Sequence, residues 1–188
     1  MRNKTFSVVE ALKILDMDRD RLFYWIGRKR LVRPAIQGVG RGGRTRLSFV
    51  NILDLALIKE LTNLGIELNT IQEILRGTST ALIRNKEIRL PKLGPWQVAS
   101  IFIRKGIKDI FLALSRDHDS GKWGWIYDSG KSYHVWPGGF VSFRGFSHIV
   151  ISLRILINYL EDKTGESLVS SIPKVPNVKL QDLGIMKP

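Results

Sequence analysis

Residues 6–34 read FSVVEALKILDMDRDRLFYWIGRKRLVRP, and two short helices joined by a tight polar turn account for the pattern. Ser7 can cap the first helix, and Glu10, three residues on, completes a capping box. Val8, Ala11, Leu12 and Leu15 then share one helical face. Asp16-Met17-Asp18 makes the turn. The second helix, Arg19 to about Arg28, turns Leu22, Trp25 and Ile26 inward and leaves Arg19, Arg21 and Tyr24 on its exposed face. Two helices separated by so short a turn form a helix-turn-helix.

The stretch that follows, QGVGRGGRTRLSF at 37–49, has four glycines within six residues and cannot be helical. Flanked by Arg33-Pro34-Ala35-Ile36 and Arg44-Thr45-Arg46-Leu47, it reads as a hairpin with a flexible tip, a wing. Ser48 is placed to cap a long amphipathic helix whose stripe is Ile52, Leu55, Ala56, Ile58, Leu61 and Leu64, ended by Gly65. A shorter helix from Leu68 to Arg76 closes this half through Leu68, Ile71, Ile74 and Leu75.

Residues 77–94 mix polar, Gly and Pro signals and read as a linker. Composition changes beyond it: 12 of the 17 aromatic residues lie from Trp96 onward, which argues for a separate core over 95–165. Ile110–Leu114, Trp125–Tyr127 and Tyr133–Trp136 are strand-like, with a turn at Asp117–Gly121. Ser147 can cap a helix to about Lys163, although HIVISLRILI is β-branched enough for a strand. Residues 166–188 read as an irregular tail. The expected fold class is α+β: a mostly helical winged helix-turn-helix over 1–76, then a small α+β domain for dimerisation, sensing or both.

Charge narrows the function. Over 188 residues, 30 basic and 17 acidic side chains give a net charge of +13, which favours a polyanionic partner, nucleic acid before an anionic membrane surface. Arg28, Lys29, Arg30, Arg33, Arg41, Arg44 and Arg46 follow one another without an acidic residue among them. Each side chain that neutralises a phosphate releases a counterion, so binding should weaken steeply with salt. The wing glycines let backbone approach a duplex, and its arginines can track phosphates or enter a minor groove. Arg19, Arg21, Tyr24, Arg28, Lys29, Arg30, Arg41, Arg44 and Arg46 are therefore the candidate DNA-binding residues, with Arg21 reading base edges and Arg44 phosphates.

The chain has no cysteine, which excludes disulfides, thiolate metal sites and cysteine nucleophiles and fits a cytoplasmic protein. The first residues show no signal-peptide pattern. His148 to Leu160, the longest apolar stretch, is too short to span a bilayer and carries Arg154 and Asn158. Gly38–Gly43 matches G-x-G-x-x-G, but the next residues, Arg44-Thr45-Arg46-Leu47, are strand-like where a dinucleotide site needs a helix. Asp117, His118 and Asp119 are the only acid-base or metal candidates, and their adjacency suits a turn better than a coordination geometry. No cofactor, metal or catalytic residue is expected, and nothing points to an enzyme. The aromatic cluster from Trp123 to Phe146 is core, the lining of an effector pocket, a surface for another protein or, last in rank because few cations accompany it, a platform for single-stranded nucleic acid.

In order, Tyr24-Trp25, Leu31, Pro34, Arg44–Phe49, Leu64-Gly65 and Ile71 resemble the DNA-binding domain of the MerR family of bacterial transcription regulators, over about residues 5–76. The resemblance implies a sequence-specific regulator of double-stranded DNA, acting as a homodimer that grips two half-sites and distorts the promoter between them. Three departures stand out. Lys29-Arg30 occupies the place of a family glycine, with one extra residue between Tyr24 and Pro34. Arg21 and Phe23 correspond to the family's threonine and phosphate-contacting arginine. The long dimerising helix that usually follows is interrupted by Pro91, Gly94 and Pro95, which leaves 147–163 as the first place to look for a dimer contact. An excisionase-like architectural factor and a nucleic-acid enzyme with its site in the second domain are the alternatives.

Overall fold

A single helix organises the N-terminal half: α3, Phe49–Asn63, is buried around nearly its whole circumference. In the computed structural model, which describes residues 4–38, 44–83, 86–107, 109–116, 123–129 and 148–172, Ile52, Leu53, Leu55, Leu57, Ile58 and Leu61 of α3 are all fully buried. A one-sided amphipathic stripe was the expectation, and Leu53 and Leu57 lie outside it. A helix apolar all round needs cover on every side.

That cover comes from both ends of the chain. Strand β1, Thr5–Ser7, leads into α1, Val8–Leu15, and pairs antiparallel with β2, Arg46–Ser48, in the register Phe6↔Leu47. The Ser7 capping box is present: the Glu10 N–H donates to Ser7 Oγ, and the Ser7 N–H donates to Glu10 Oε2 at 2.7 Å. Hydrogen bonds to the Ser7 side chain and then to its backbone hold the Glu10 carboxyl below the ordinary carboxylate range. The contribution of the cap is therefore fully present above that range and is lost as pH falls to the lowered pKa beneath it. Next come α2, Arg19–Phe23, and α4, Leu68–Arg76, the latter burying Ile71 and Ile74.

The chain divides into two units, and the first joins Met1–Leu75 to Leu156–Pro173. Its C-terminal part comprises most of α6, Leu153–Thr164, and α7, Leu168–Ser171, which packs against α3. Ile157, Leu160 and Leu168 are fully buried, Lys4 Nζ donates to the Thr164 carbonyl at 2.7 Å, and Lys163 Nζ reaches the Ile14 carbonyl at 3.4 Å. The first unit is thus discontinuous in sequence, where one ending near residue 76 was expected. Leu64, expected in the α3 stripe, is 50% exposed just beyond the helix.

The second unit centres on a five-stranded sheet in the order β4-β3-β6-β5-β7: β3 Thr78–Ile83, β4 Lys86–Leu93, β5 Ile110–Arg116, β6 Trp123–Ser129 and β7 His148–Ser152. All neighbours are antiparallel except β3 and β6, which run parallel through Ala81↔Tyr127. Helix α5, Pro95–Arg104, lies against β5 and β6 and buries Trp96, Val98, Ala99 and Phe102.

Three expectations change here. Residues 77–94 hold β3 and β4 in place of a linker, because Pro91 and the flanking glycines mask a strand pattern that pairing completes. Gly77, at φ +91°, can approach the Leu93 backbone only because it has no Cβ. The 147–163 segment is a strand followed by a helix, so each reading of HIVISLRILI holds for one half. Part of the expected tail is α7. The Asp117–Gly121 turn and the Tyr133–Trp136 strand lie outside the described residues. No helix among the described residues is long and apolar enough to cross a membrane.

Asn51 ties the chain's exit from the helix pair to α3. Its Oδ1 accepts from the Ser48 N–H at 3.0 Å, its own N–H donates to Ser48 Oγ at 3.2 Å, and its Nδ2 donates to the Arg33 carbonyl at 2.9 Å. Replacing Asn51 by Ala removes half a cap and leaves the Arg33 carbonyl without this donor. The expected cost is about 2 kcal/mol, read as a lower urea midpoint at unchanged slope.

Candidate nucleic-acid interface

Helix α2 starts at Asp18, whose Oδ1 accepts the Arg21 N–H at 2.7 Å. After Phe23 the helix widens into a π-type turn over Tyr24–Arg28, closed by a bond from the Lys29 N–H to the Tyr24 carbonyl at 2.9 Å. A turn of this kind accommodates one additional residue within a helix, and such insertions recur at functional positions. The Leu31 N–H then bonds the Trp25 carbonyl at 2.9 Å, and Arg30 takes a left-handed conformation at φ +50°. That is the conformation a glycine adopts most easily, and it explains why a glycine suits this place in the family pattern.

Leu22 and Trp25 are buried beneath the helix, as their spacing required. The opposite face is open. Arg19, Arg28, Lys29 and Arg30 are exposed, and so are the rings of Phe23 and Tyr24, at 39% and 37%. The cations lie over the rings: the Arg19 guanidinium is 5.4 Å from the Phe23 centroid, and Lys29 Nζ is 5.7 Å from that of Tyr24. An open concavity of about 640 Å³ is lined by Asp20, Arg21, Phe23, Tyr24, Gly27 and Arg28. A Cβ on Gly27 would meet nothing within 4 Å, so the absence of a side chain leaves room for an incoming group and does not serve the protein's own packing.

The base of the wing forms where it was expected. Ile36 and Arg46 exchange backbone hydrogen bonds at 3.1 and 2.8 Å, and the Gly38 N–H donates to Thr45 Oγ1 at 3.4 Å. Arg44 is exposed, while Arg41 lies outside the described residues.

Two arginines take positions other than those expected. Arg46 is half-buried, and its Nε and Nη2 donate to the hydroxyl and carbonyl of Thr5 at 3.2 and 3.1 Å, which fastens β2 to β1. Arg21 is also half-buried: its Nη2 donates to Thr62 Oγ1 at 2.7 Å and Asn63 Oδ1 at 3.0 Å. Helical spacing for Arg21 and a place on the wing for Arg46 put both on accessible faces and carried no information about partners some forty residues away. Phe23 and Gly27 are the converse, site positions that the charge pattern did not reveal. An unneeded glycine and an apolar ring on the polar face of a helix are the signals that marked them.

A buried helix pair beneath an exposed cation-aromatic face, with a basic wing beside it, is the build of a winged helix-turn-helix DNA-binding domain. Residues 6–78 match the family model described as MerR HTH family regulatory protein, so this segment is similar to a MerR-type helix-turn-helix domain. The match covers less than half of the chain. No curated protein matches the chain.

Arg30→Gly should raise stability by about 0.5–1 kcal/mol, because relief of the left-handed strain exceeds the added chain entropy. It should also weaken duplex binding through the lost charge. A urea titration and a binding titration on the same variant read the two opposite effects, and a loss of stability would show that the strain is not there.

Proposed function

We propose that the protein is a transcriptional regulator that binds double-stranded DNA sequence-specifically, as a homodimer that distorts promoter DNA between two half-sites. The observation that carries the reading is the open face of α2 and its wide turn, where Asp20, Arg21, Phe23, Tyr24, Gly27 and Arg28 line one concavity and Arg19, Arg28, Lys29 and Arg30 are all exposed. Arg19 and Arg28 supply charge-assisted donors for phosphates or base edges. Phe23, where the family resemblance places a phosphate-contacting arginine, offers an apolar edge suited to a thymine methyl group or a sugar. Arg44 on the wing contacts flanking phosphate. The sheet-bearing unit takes the role of dimerisation or of sensing a small molecule or protein.

Titration of random duplex DNA across a salt series, with sequencing of the bound fraction, tests this. A steep negative salt slope with an enriched two-fold symmetric motif is the expected result. A steep slope without enrichment would indicate an architectural binder, and no binding at low salt would refute the interface. Arg44→Ala should lower affinity on every duplex alike and reduce the magnitude of the salt slope by about 1. Gly27→Ala should leave stability equal or slightly higher yet weaken binding, because its methyl enters the concavity. Unchanged binding would remove Gly27 from the interface.

A further inference from the structure

Arg21 sits in the helix that faces DNA in the reading above and lines its concavity, yet its guanidinium is held by α3. Both hydrogens of Nη2 are engaged, one on Thr62 Oγ1 at 2.7 Å and one on Asn63 Oδ1 at 3.0 Å. The cation also lies 4.9 Å from the centroid of the buried Trp25 ring, one turn along the same helix. Thr62 is itself held, because its hydroxyl lies 2.8 Å from the Ile58 carbonyl and 3.0 Å from that of Lys59. A three-point contact of this kind sets the rotation of α2 about its own axis. Rotation decides which side chains face outward.

The same end of α3 holds the other arm of the helix pair. Lys59 Nζ donates to the Leu15 and Asp16 carbonyls at 2.7 and 2.9 Å, where α1 ends and Asp16 turns left-handed at φ +46°. The last turns of α3 therefore grip α1 through Lys59 and α2 through Thr62 and Asn63. An ordinary threonine at position 21 would be too short to span to α3, whereas arginine has the length and the fork of donors.

We propose that Arg21 is a positioning residue for DNA recognition: it locks α2 onto the C-terminal end of α3 and so orients Arg19, Tyr24 and Arg28 toward the duplex, without itself contacting DNA. The inference rests on the DNA-binding reading above.

The test uses the full chain, a random-sequence duplex and the duplex enriched from the random pool. Arg21→Lys keeps the charge but loses the fork, and Thr62→Val with Asn63→Ala removes the acceptors while leaving Arg21 in place. Each is expected to lower affinity for the enriched duplex about tenfold and to leave the salt slope on random duplex unchanged. Combining the two should cost no more than either alone, since both break one contact. A slope reduced by about 1 in Arg21→Gln, together with wild-type affinity in Thr62→Val/Asn63→Ala, would show that Arg21 contacts phosphate and overturn its positioning role alone. Absence of duplex binding by the wild type would overturn the DNA-binding reading and this proposal together. Because the Thr62 and Asn63 substitutions leave Arg21 itself unchanged, the proposal stays testable even if position 21 tolerates no replacement.

Discussion

The structure of the first unit depends on the all-round burial of α3. A helix carrying Leu53 and Leu57 opposite Ile52, Leu55 and Ile58 has no face to give to water. Helix α1 and β2 account for cover from the N-terminal side, and α7 from the C-terminal side. Each large aliphatic side chain so buried contributes roughly 1.5–3 kcal/mol relative to exposure. This favours return of the C-terminal segment to a domain that the chain left about eighty residues earlier, against the entropy of closing a long loop, which grows only logarithmically with length. Without that return, the apolar excess on α3 would be an exposed hydrophobic surface.

The same helix also governs the polar side of the domain. Lys59, Thr62 and Asn63 lie at its C-terminal end and bind backbone or side-chain groups of α1 and α2, while Asn51 near its N-terminal end holds the Arg33 carbonyl. Apolar contacts fix α3 in place but are non-directional. Hydrogen bonds at its two ends supply direction, and direction is what a recognition surface needs. The widened turn at Tyr24–Arg28 and the left-handed Arg30 act in succession: one broadens the end of the helix, and the other redirects the chain toward Pro34 afterwards.

Much of this was legible in the residues. The Ser7 and Ser48 caps, the turn at Asp16–Asp18, the buried Leu22 and Trp25 and the base of the wing follow from local rules in which the deciding partners lie within a few positions. The basic run from Arg28 to Arg46 marked the region of the interface. Local rules failed where a partner was distant. The β3 and β4 strands looked like a linker because a strand at a sheet edge tolerates Pro91, and pairing, not propensity, makes it a strand. HIVISLRILI contains both a strand and a helix because β7 finds β5 as a neighbour, whereas the residues after Ser152 continue as α6.

By itself the sequence determined a basic chain without cysteine, a helix-turn-helix with a glycine-rich wing, and a resemblance confined to its first part. These are properties of composition and of spacing over three to four residues, and they survive any arrangement in space. Tertiary structure alone decided that α7 completes the N-terminal unit, that Arg46 serves Thr5, and that the Arg21 guanidinium is engaged by Thr62 and Asn63. The physical reason is reach. An arginine side chain extends several ångströms in any of many rotamers, and which way it turns depends on acceptors brought near by folding, not on the residues beside it in the chain.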